Sequence, residues 1–218
     1  MNCIVTAGPT FEPLDDVRRL TNFSTGRLGT ELANYLTTRG HQVTLLIGVS
    51  ATYAGARQAK MVKVFSTTAD LRAKLKAFSG KKVDVIFHAA AVSDFGFGKV
   101  FAQNEKGEFI ALTASKKIST RAGALLAELA PTPKIIAELR GWFPRTKIVG
   151  WKFEANGKRT NAIGAAQRQI VDCRTDACVA NGPAYGAGFA LVADGGQKHF
   201  ASAEKLFAGL TKFARRVG

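Results

Sequence analysis

The chain has 218 residues, of which 46% are hydrophobic and 22% are charged, and its formal net charge is +15 at pH 7. A chain of this length and apolar content can bury a full core, and it fits one domain over residues 1–218 better than two small ones. No run of residues approaches the roughly 18 apolar residues of a membrane span, and the N-terminus lacks the charged start and long apolar stretch of a signal peptide. We therefore expect a cytoplasmic protein with no membrane partner.

The excess of basic residues raises the question of nucleic-acid binding, because a basic face neutralises phosphates and releases counterions. The Lys and Arg residues are spread along the chain in short pairs such as Arg18-Arg19 and Lys81-Lys82, and no basic block is interleaved with aromatic residues. A small polyanionic substrate or a basic solvated surface explains the charge equally well. We predict no nucleic-acid partner.

The first predicted strand, 3–7, ends in the turn signal Gly8-Pro9. In a plain dinucleotide-binding fold the glycine-rich turn follows this strand directly and opens a helix. Here residues 10–21 intervene, and the segment 22–29, Asn-Phe-Ser-Thr-Gly-Arg-Leu-Gly, opens the first helix near Ser24. Its exposed N–H groups and the positive end of the helix dipole predict an anion site, with an ordinary helix cap as the alternative.

Further along the chain, short apolar runs alternate with segments of helical period. The remaining predicted strands are 42–48, 61–65, 83–89, 147–153, 177–180 and 189–193. The predicted helices are 30–39, 69–78, 134–142, 161–171 and 203–216, with Thr132 as the cap and Pro133 in the first turn of the third. Residues 97–120 break the alternation and are predicted to form an inserted arm or flap, with a hairpin at 105–108. This order predicts an α/β fold, a Rossmann-like doubly wound, mostly parallel sheet with helices on both faces, whose last strands can be antiparallel.

The loops at the carboxyl ends of parallel strands meet at one edge of such a sheet, which is where open α/β sheets bind ligands. In this chain those loops are 8–10, 90–95, 151–154 and 181–182, beside the segment 22–29. Their spacing alone predicts a nucleotide or phosphate site and no more. The sequence contains no evident Ser/His/Asp set and no Walker lysine, and its three histidines are unclustered, which is more typical of structural residues.

One set of specific motifs lies at the start of the chain, and a looser set runs along the rest of it. The first set is Thr-Ala-Gly-Pro-Thr at 6–10, Glu-Pro-Leu-Asp at 12–15, Val-Arg at 17–18 and the segment 22–29. The second set lies at 89–95, 117–118, 133–135, 150–154 and 179–181. Together they resemble the phosphopantothenoylcysteine synthetase family, the ligase domain of coenzyme A biosynthesis, over nearly the whole chain. Bacterial members are often fused to a flavin decarboxylase, and because no such domain is present here we expect no flavin.

The resemblance implies a ligase reaction in two steps. The carboxylate of 4'-phosphopantothenate would be activated with a nucleoside triphosphate, CTP or ATP, giving an acyl-nucleotide and pyrophosphate. The amine of cysteine would then displace the nucleotide, while Mg²⁺ screens the phosphates. Family members are dimers, which implies a homodimer, although neither a dimer seam nor the magnesium ligands can be read from the sequence.

The resemblance also implies roles for single residues. Asn22 would hold the acyl-nucleotide and assist its turnover, and Lys117 on the arm would reach the phosphates, so these are the predicted catalytic residues. Asn22 and Asn181 are the predicted substrate-binding residues. The predicted nucleotide-binding residues are Gly8, Ser24, Gly26, Ala90, Asp94, Pro133, Ile135 and Trp151. Structural alternatives are a helix cap for Asn22, a solvated loop lysine for Lys117, a core residue for Trp151 and a turn cap for Asp94.

Departures from the family pattern leave the nucleotide open. Bacterial members that use CTP carry two lysines on the helix before the last nucleotide strand, where this chain has Gln169 and Cys173. Phe23 and the patterns at 93–95 and 152–154 favour the eukaryotic-like members that use ATP. Two other functions are alternatives: a non-catalytic ligand-binding relative, and an NAD(P)-binding oxidoreductase, which is disfavoured because Gly48 stands where an acidic residue would end the second strand.

Overall fold

The computed structural model describes residues 1–104, 106–112, 118 and 123–215, and all of its elements below belong to those residues. The strands are β1 (Asn2–Ala7), β2 (Phe11–Pro13), β3 (Arg19–Thr21), β4 (Gln42–Gly48), β5 (Met61–Phe65), β6 (Val85–His88), β7 (Phe95–Gln103), β8 (Phe109–Ala111), β9 (Leu125–Pro131), β10 (Lys147–Phe153), β11 (Ala177–Asn181), β12 (Phe189–Ala193) and β13 (Gly196–Phe200). The helices are α1 (Arg27–Thr38), α2 (Thr68–Lys76), α3 (Ile135–Trp142), α4 (Arg159–Cys173) and α5 (Ala203–Arg215). None of these helices is long and apolar enough to cross a membrane.

The main sheet has the strand order β13-β12-β11-β10-β6-β1-β4-β5. Strands β1, β4, β5, β6, β10 and β11 pair in parallel, and β12 and β13 pair antiparallel at one edge. The chain runs outward from β1 through β4 to β5 and then returns to β6 on the other side of β1. The boundary between β1 and β6 is therefore the topological switch point, where sheets of this kind bind ligands at the carboxyl edge. The predicted Rossmann-like fold is confirmed.

Helices cover both faces of this sheet because alternate residues of each buried strand point to opposite sides. On one face Val5 of β1 packs with Leu32 of α1 and Leu206 of α5. On the other face Ile4 of the same strand packs with residues of α2 and α3. The part of this face that lies toward β12 is covered by α4. These two apolar layers fix the sheet between the helices and place the ends of the strands at a common edge.

Residues 10–21 form the β2–β3 hairpin, in which Phe11 lies opposite Thr21. The arm is a separate three-stranded antiparallel sheet in the order β8-β7-β9. It runs from 95 to 131 and so extends beyond the predicted 97–120 on both sides. Strands β7 and β8 form the predicted hairpin, with Asn104 N donating to Glu108 O at 2.8 Å. The assignment of the whole chain to one domain stays a prediction.

Several local predictions were wrong. The first helix does not open near Ser24: it begins at Arg27, after Gly26 in a left-handed conformation with φ of 79°. The third helix has Lys134 as its N-cap, and Thr132 does not cap it, because its hydroxyl donates to Ser93 O instead. Strands β2, β3, β9 and β13 were missed. The Asp-Gly dipeptide at 194–195 is a hairpin signal that could have found β13.

The start of α1 depends on Gly29, where the helix touches the end of β1. A Cβ at this position would lie 2.7 Å from Ala7 Cβ and 3.0 Å from Thr6 O. Because β1 is a central strand, neither neighbour can move aside without disturbing the sheet. We expect Gly29→Ala to lower the free energy of unfolding by about 1–3 kcal/mol, measured by denaturant titration.

Gly141→Ala is the matched control, because Gly141 is exposed in α3 and a Cβ there meets nothing within 4 Å. It should stabilise the protein by about 0.5 kcal/mol through helix propensity. Equal changes in the free energy of unfolding for the two substitutions would show that the contact between α1 and β1 does not disfavour a side chain at position 29.

Candidate functional site

The loops that follow β1 and β6 are hydrogen-bonded to each other at the switch point. Thr10 N donates to Ala91 O at 3.1 Å, and Ala91 N donates to Gly8 O at 3.0 Å. Pro9 and Ala91 thereby continue the parallel pairing of the two strands by one further bridge. The predicted positions Gly8 and Ala90 lie in these two loops, so the structure brings them to the same edge.

A buried polar network lies directly beneath these loops. The hydroxyl of Thr6 accepts a hydrogen bond from Ala90 N at 3.0 Å and lies 3.0 Å from His88 Nδ1. Burial lowers the pKa of His88 from 6.5 to about 4, because desolvation penalises the imidazolium. The ring is therefore neutral at pH 7, and with its proton on Nε2 it can accept from the Thr6 hydroxyl. Thr6 is in turn left free to accept from Ala90, which fixes the start of the loop after β6.

A second network, centred on Thr10, holds the rest of the same loop. The Thr10 hydroxyl accepts from Ser93 N at 2.8 Å and lies 3.2 Å from the hydroxyl of Thr68 at the start of α2. The carbonyl of Ser93 accepts from the Thr132 hydroxyl, and Thr132 N donates to Asp94 O at 3.0 Å. The loop after β6 is thus tied to β1, to α2 and to the end of the arm.

Glycines allow the start of α1 to approach the loop after β1. Gly8 and Gly26 both have positive φ, of 77° and 79°. A Cβ on Gly26 would lie 3.2 Å from Gly8 N and 3.0 Å from the Cβ of Ala51. No acidic residue lies in the first turn of α1, and no side chain caps it from Gly26. Ser24 is half-buried beside this turn. The positive end of the helix therefore faces the switch point without a carboxylate of its own, as an anion site requires.

Asn22 reaches across the switch point from the end of the β2–β3 hairpin. Its Nδ2 donates to Ala91 O and to Val92 O, both at 3.3 Å. It does not cap the helix, which begins at Arg27, so that structural alternative is wrong. The carboxamide is exposed and keeps its Oδ1 as an acceptor for a ligand.

Trp151 and Asn181 lie at the ends of the neighbouring strands β10 and β11, on the side of the sheet that α1 and α5 cover. Trp151 packs against the core cluster that contains Val149 and Val179. Asn181 follows Val179 by two residues and shares its face. Trp151 Nε1 and Asn181 Oδ1 are both buried and have no hydrogen-bond partner within the described part of the chain. A buried donor and a buried acceptor that lack partners are each costly unless a ligand or water satisfies them.

The remaining predicted residues are placed differently. Asp94 and Pro133 are exposed, and Asp94 has no capping role among the described contacts. Ile135 is 1% exposed and its side chain packs into the core under α3, so that side chain is closed to a ligand. Lys117 lies outside the described residues. Thus the structure brings Gly8, Gly26, Asn22 and Ala90 together, and none of these placements tests their predicted roles.

Sequence reasoning missed Thr6, Thr10 and His88, whose networks hold the loops. It also missed a contact between the β2–β3 hairpin and the arm, in which Asp15 and Arg18 bind the backbone of Ile118. A buried threonine or histidine within an apolar strand is a weak sequence signal, because nothing local indicates its partner.

The described residues offer few ligands for a magnesium ion. They contain no group of three or more His, Cys, Asp or Glu residues in metal-binding proximity. Protein sites for Mg²⁺ at phosphates commonly supply one or two carboxylates while the phosphates and water supply the rest. The exposed Asp94 at the loop after β6 fits that pattern as a single ligand, whereas a dedicated protein cage does not.

The chain is similar to proteins that are already known. The model of the DNA/pantothenate metabolism flavoprotein C-terminal domain family matches residues 1–205. The coenzyme A biosynthesis bifunctional protein CoaBC of Thermococcus kodakarensis is 34% identical over 179 residues, which are 82% of this chain and 40% of that protein. The chain spans about two fifths of the length of the curated relatives it matches.

Solved structures share the fold. The DNA/pantothenate metabolism flavoprotein from Streptococcus pneumoniae has a TM-score of 0.82 at 22% identity, with 98% of this chain and 97% of that chain covered. A Cab2 mutant in complex with phosphopantothenate-cysteine has a TM-score of 0.70 at 16% identity, with 98% and 86% covered.

The lowered pKa of His88 predicts an acid-sensitive fold. Between pH 6.5 and about 4 the unfolded chain binds a proton at this position and the folded chain does not, so the free energy of unfolding falls as the pH falls. The shift corresponds to about 3 kcal/mol over that window. We expect His88→Asn, whose Oδ1 takes the place of Nδ1 as an acceptor for Thr6, to flatten this part of the pH profile in denaturant titrations. An unchanged slope would show that other groups cause the acid sensitivity.

Proposed function

Because the chain belongs to the family of DNA/pantothenate metabolism flavoprotein C-terminal domains, we propose that it joins 4'-phosphopantothenate to cysteine in coenzyme A biosynthesis, using CTP or ATP. A carboxylate oxygen of phosphopantothenate attacks the α-phosphorus of the nucleotide and pyrophosphate leaves. The cysteine amine then attacks the acyl carbon, loses a proton, and the nucleoside monophosphate leaves. The observation that carries the proposal is the Asn22 carboxamide, which lies across the switch point beside the glycine-lined start of α1.

The first step brings two anions together, so the site must supply positive charge and fixed donors. The start of α1 meets part of this need, because its first turn carries no acidic residue and its backbone N–H groups are available to an anion. Gly8 and Gly26 support this arrangement by letting the loop after β1 and the start of the helix pack closely. Ser24 would add a hydroxyl to this cradle. Lys117 would supply a further positive charge. Magnesium, held by the phosphates and by Asp94, would neutralise part of their charge.

Asn22 suits the second step through its fixed orientation. Its Nδ2 is held by two carbonyls of the loop after β6, at 3.3 Å each, so the carboxamide need not be ordered when substrate binds. The Oδ1 atom can then accept a hydrogen bond from the attacking amine. This arrangement also places Asn22 over Ala91, next to the predicted nucleotide residue Ala90.

The unpaired atoms of Trp151 and Asn181 support a polar ligand at the ends of β10 and β11. Trp151 Nε1 can donate to an oxygen of the ligand, and Asn181 Oδ1 can accept from an N–H or O–H group. We assign Trp151 to the base and ribose pocket, with Pro133 and the backbone of Ile135, and Asn181 to the acyl substrate. CTP and ATP both carry suitable groups, so these contacts do not distinguish between the two nucleotides.

One face of the arm supports a homodimer. Phe101 lies opposite Ala111 on β8 and Leu126 on β9, so the three side chains share a face, and Phe109 lies on it two residues before Ala111. Phe109 is 42% exposed and Leu126 is 52% exposed. An exposed apolar patch on a three-stranded sheet is typical of an interface. We assign it to a second copy of the chain.

Release of pyrophosphate tests the function directly. With phosphopantothenate, cysteine and either CTP or ATP, the protein should release pyrophosphate, and a lack of turnover with both nucleotides would exclude the ligase activity. Asn22→Ala should still release one equivalent of pyrophosphate but stall with acyl-nucleotide bound, reducing product formation by at least a hundredfold, measured by mass spectrometry of the quenched reaction.

Asn34→Ala is the matched control for this experiment. Asn34 lies on α1, where its side chain bonds Ala56 and Gln58 and makes no described contact with the switch point. It should keep the rate of the native protein. A normal rate in Asn22→Ala would remove Asn22 from the mechanism.

The dimer is tested by sedimentation equilibrium. The native protein should show twice the 23.3 kDa mass of the chain. Leu126→Glu should yield the monomer, because it places a charge in the apolar face of the arm. Val171→Glu, at a 76% exposed position on α4, is the control and should leave the mass unchanged. A dimer that survives Leu126→Glu would place the interface elsewhere.

A further inference from the structure

Tyr185 lies in the loop that follows β11, shortly after Asn181, the residue proposed to bind the acyl substrate. Tyr185 is 3% exposed, and its side chain packs with Ala162 and Ala166 of α4. A tyrosine buried to this extent needs a partner for its hydroxyl, because an unpaired buried hydroxyl is costly. The loop thus inserts one large side chain between the sheet and α4, and the partners of its hydroxyl decide how firmly the loop is held.

The backbone of this loop is tied to the end of the neighbouring strand β10. Ala184 N donates to Glu154 O at 3.0 Å, and Glu154 N donates to Asn181 O at 2.9 Å. Gly182 allows this close approach, since a Cβ there would lie 2.5 Å from Glu154 O. Asn181 and the loop 182–188 therefore form one unit, and a displacement of the loop should displace the end of β11 with it.

The Tyr185 hydroxyl binds two side chains that come from other elements. Arg159 Nη2, at the start of α4, donates to it at 2.6 Å. His199 Nδ1, on β13, lies 2.8 Å from it. A guanidinium can only donate, so the phenol gives its single proton to Nδ1, which is therefore unprotonated. The hydroxyl thus accepts from one neighbour and donates to the other.

The same two side chains also contact the ring of Tyr185. The guanidinium carbon of Arg159 lies 4.3 Å from the ring centroid, as in a cation–π contact. The His199 ring is stacked with it, at 5.9 Å between centroids and 27° between planes. His199 lies beside Ala190 of β12, which in turn pairs with Ala180, so the cluster stands at the end of β11 that carries Asn181.

We propose that Tyr185 is a positioning residue: its hydroxyl, held between Arg159 and His199, fixes the loop 182–188 and so orients Asn181 toward the acyl substrate. The role of Asn181 rests on the proposed function, whereas the anchoring of the loop does not. A loose loop has to be ordered each time the substrate binds, so the anchor acts on substrate affinity more than on the chemical step. Tyr185 itself is buried and does not contact the substrate.

Tyr185→Phe removes the hydroxyl and keeps the ring in the core, so the fold should be retained. Hydrogen exchange of the peptide 181–189, read by mass spectrometry on the full chain, should become at least fivefold faster. Tyr35→Phe is the matched control. Tyr35 also carries an arginine over its ring, Arg39 at 3.4 Å, but it lies between α1 and α5. Its substitution should leave exchange in 181–189 unchanged.

Two substitutions of His199 separate the hydrogen bond from the bulk of the ring. His199→Asn keeps an acceptor, because Oδ1 can take the place of Nδ1, whereas His199→Ala removes it. We expect His199→Ala to reproduce the faster exchange of Tyr185→Phe. His199→Asn should keep the native exchange rate within twofold.

Steady-state release of pyrophosphate tests the effect on the site. In Tyr185→Phe the KM for phosphopantothenate should rise at least fivefold, while kcat and the KM for the nucleotide stay within twofold of the native values. His199→Ala should show the same rise, and His199→Asn should not. A merely structural role would instead lower the rate in proportion to the folded fraction, measured by circular dichroism of the same samples, and leave the KM unchanged.

Unchanged exchange of the peptide 181–189 in Tyr185→Phe would overturn the anchor. Equal exchange in His199→Asn and His199→Ala would overturn His199 as its acceptor. Faster exchange together with a native KM for phosphopantothenate would overturn the positioning of Asn181. If the native protein releases no pyrophosphate with either nucleotide, the proposed function fails, and the exchange data then decide the anchor on their own.

Discussion

The hydrogen bonds between the loops after β1 and β6 are the interaction on which the site depends. They extend the parallel pairing of two central strands beyond the strands themselves, through Thr10 N to Ala91 O and Ala91 N to Gly8 O. The loop after β6 is thereby held as rigidly as the sheet. Asn22 binds the carbonyls of this loop, so its orientation depends on the same pairing. Weakening it would loosen every group placed at the switch point at once.

Two buried hydroxyls make that pairing possible without leaving polar groups unpaired. Thr6 serves the beginning of the loop after β6 and Thr10 serves its end. Both side chains are 0% exposed, and each takes up a backbone N–H that no strand partner reaches. His88 must also be neutral for the buried groups to be satisfied, because an imidazolium in this position would be an uncompensated charge. Polar residues in the core of this sheet therefore act on the site above it.

The β2–β3 hairpin is the departure from a plain dinucleotide-binding fold that most changes what the site can do. It separates α1 from β1 along the sequence, brings Asn22 over the loop after β6, and holds Ile118 through Asp15 and Arg18. The proposed ligase reaction brings two anions together and then admits an amine, which requires groups from separate segments at fixed spacing. The net charge of +15 attracts anions in general. The fold, in contrast, sets the positions of the particular donors at the switch point.

The sequence by itself determined the order of the main parallel strands and of the helices, because apolar periodicity and glycine turns act over a few residues. It also located the segment 22–29, whose motif does not depend on distant contacts. Only the tertiary structure decided that α1 begins at Arg27, that Asn22 binds Ala91 and Val92, and that Asp15 and Arg18 hold Ile118. These are hydrogen bonds between groups 69 to 103 residues apart. No local pattern specifies them, since any exposed Asn or Asp could satisfy its hydrogen bonds with water until packing brings its partner within reach.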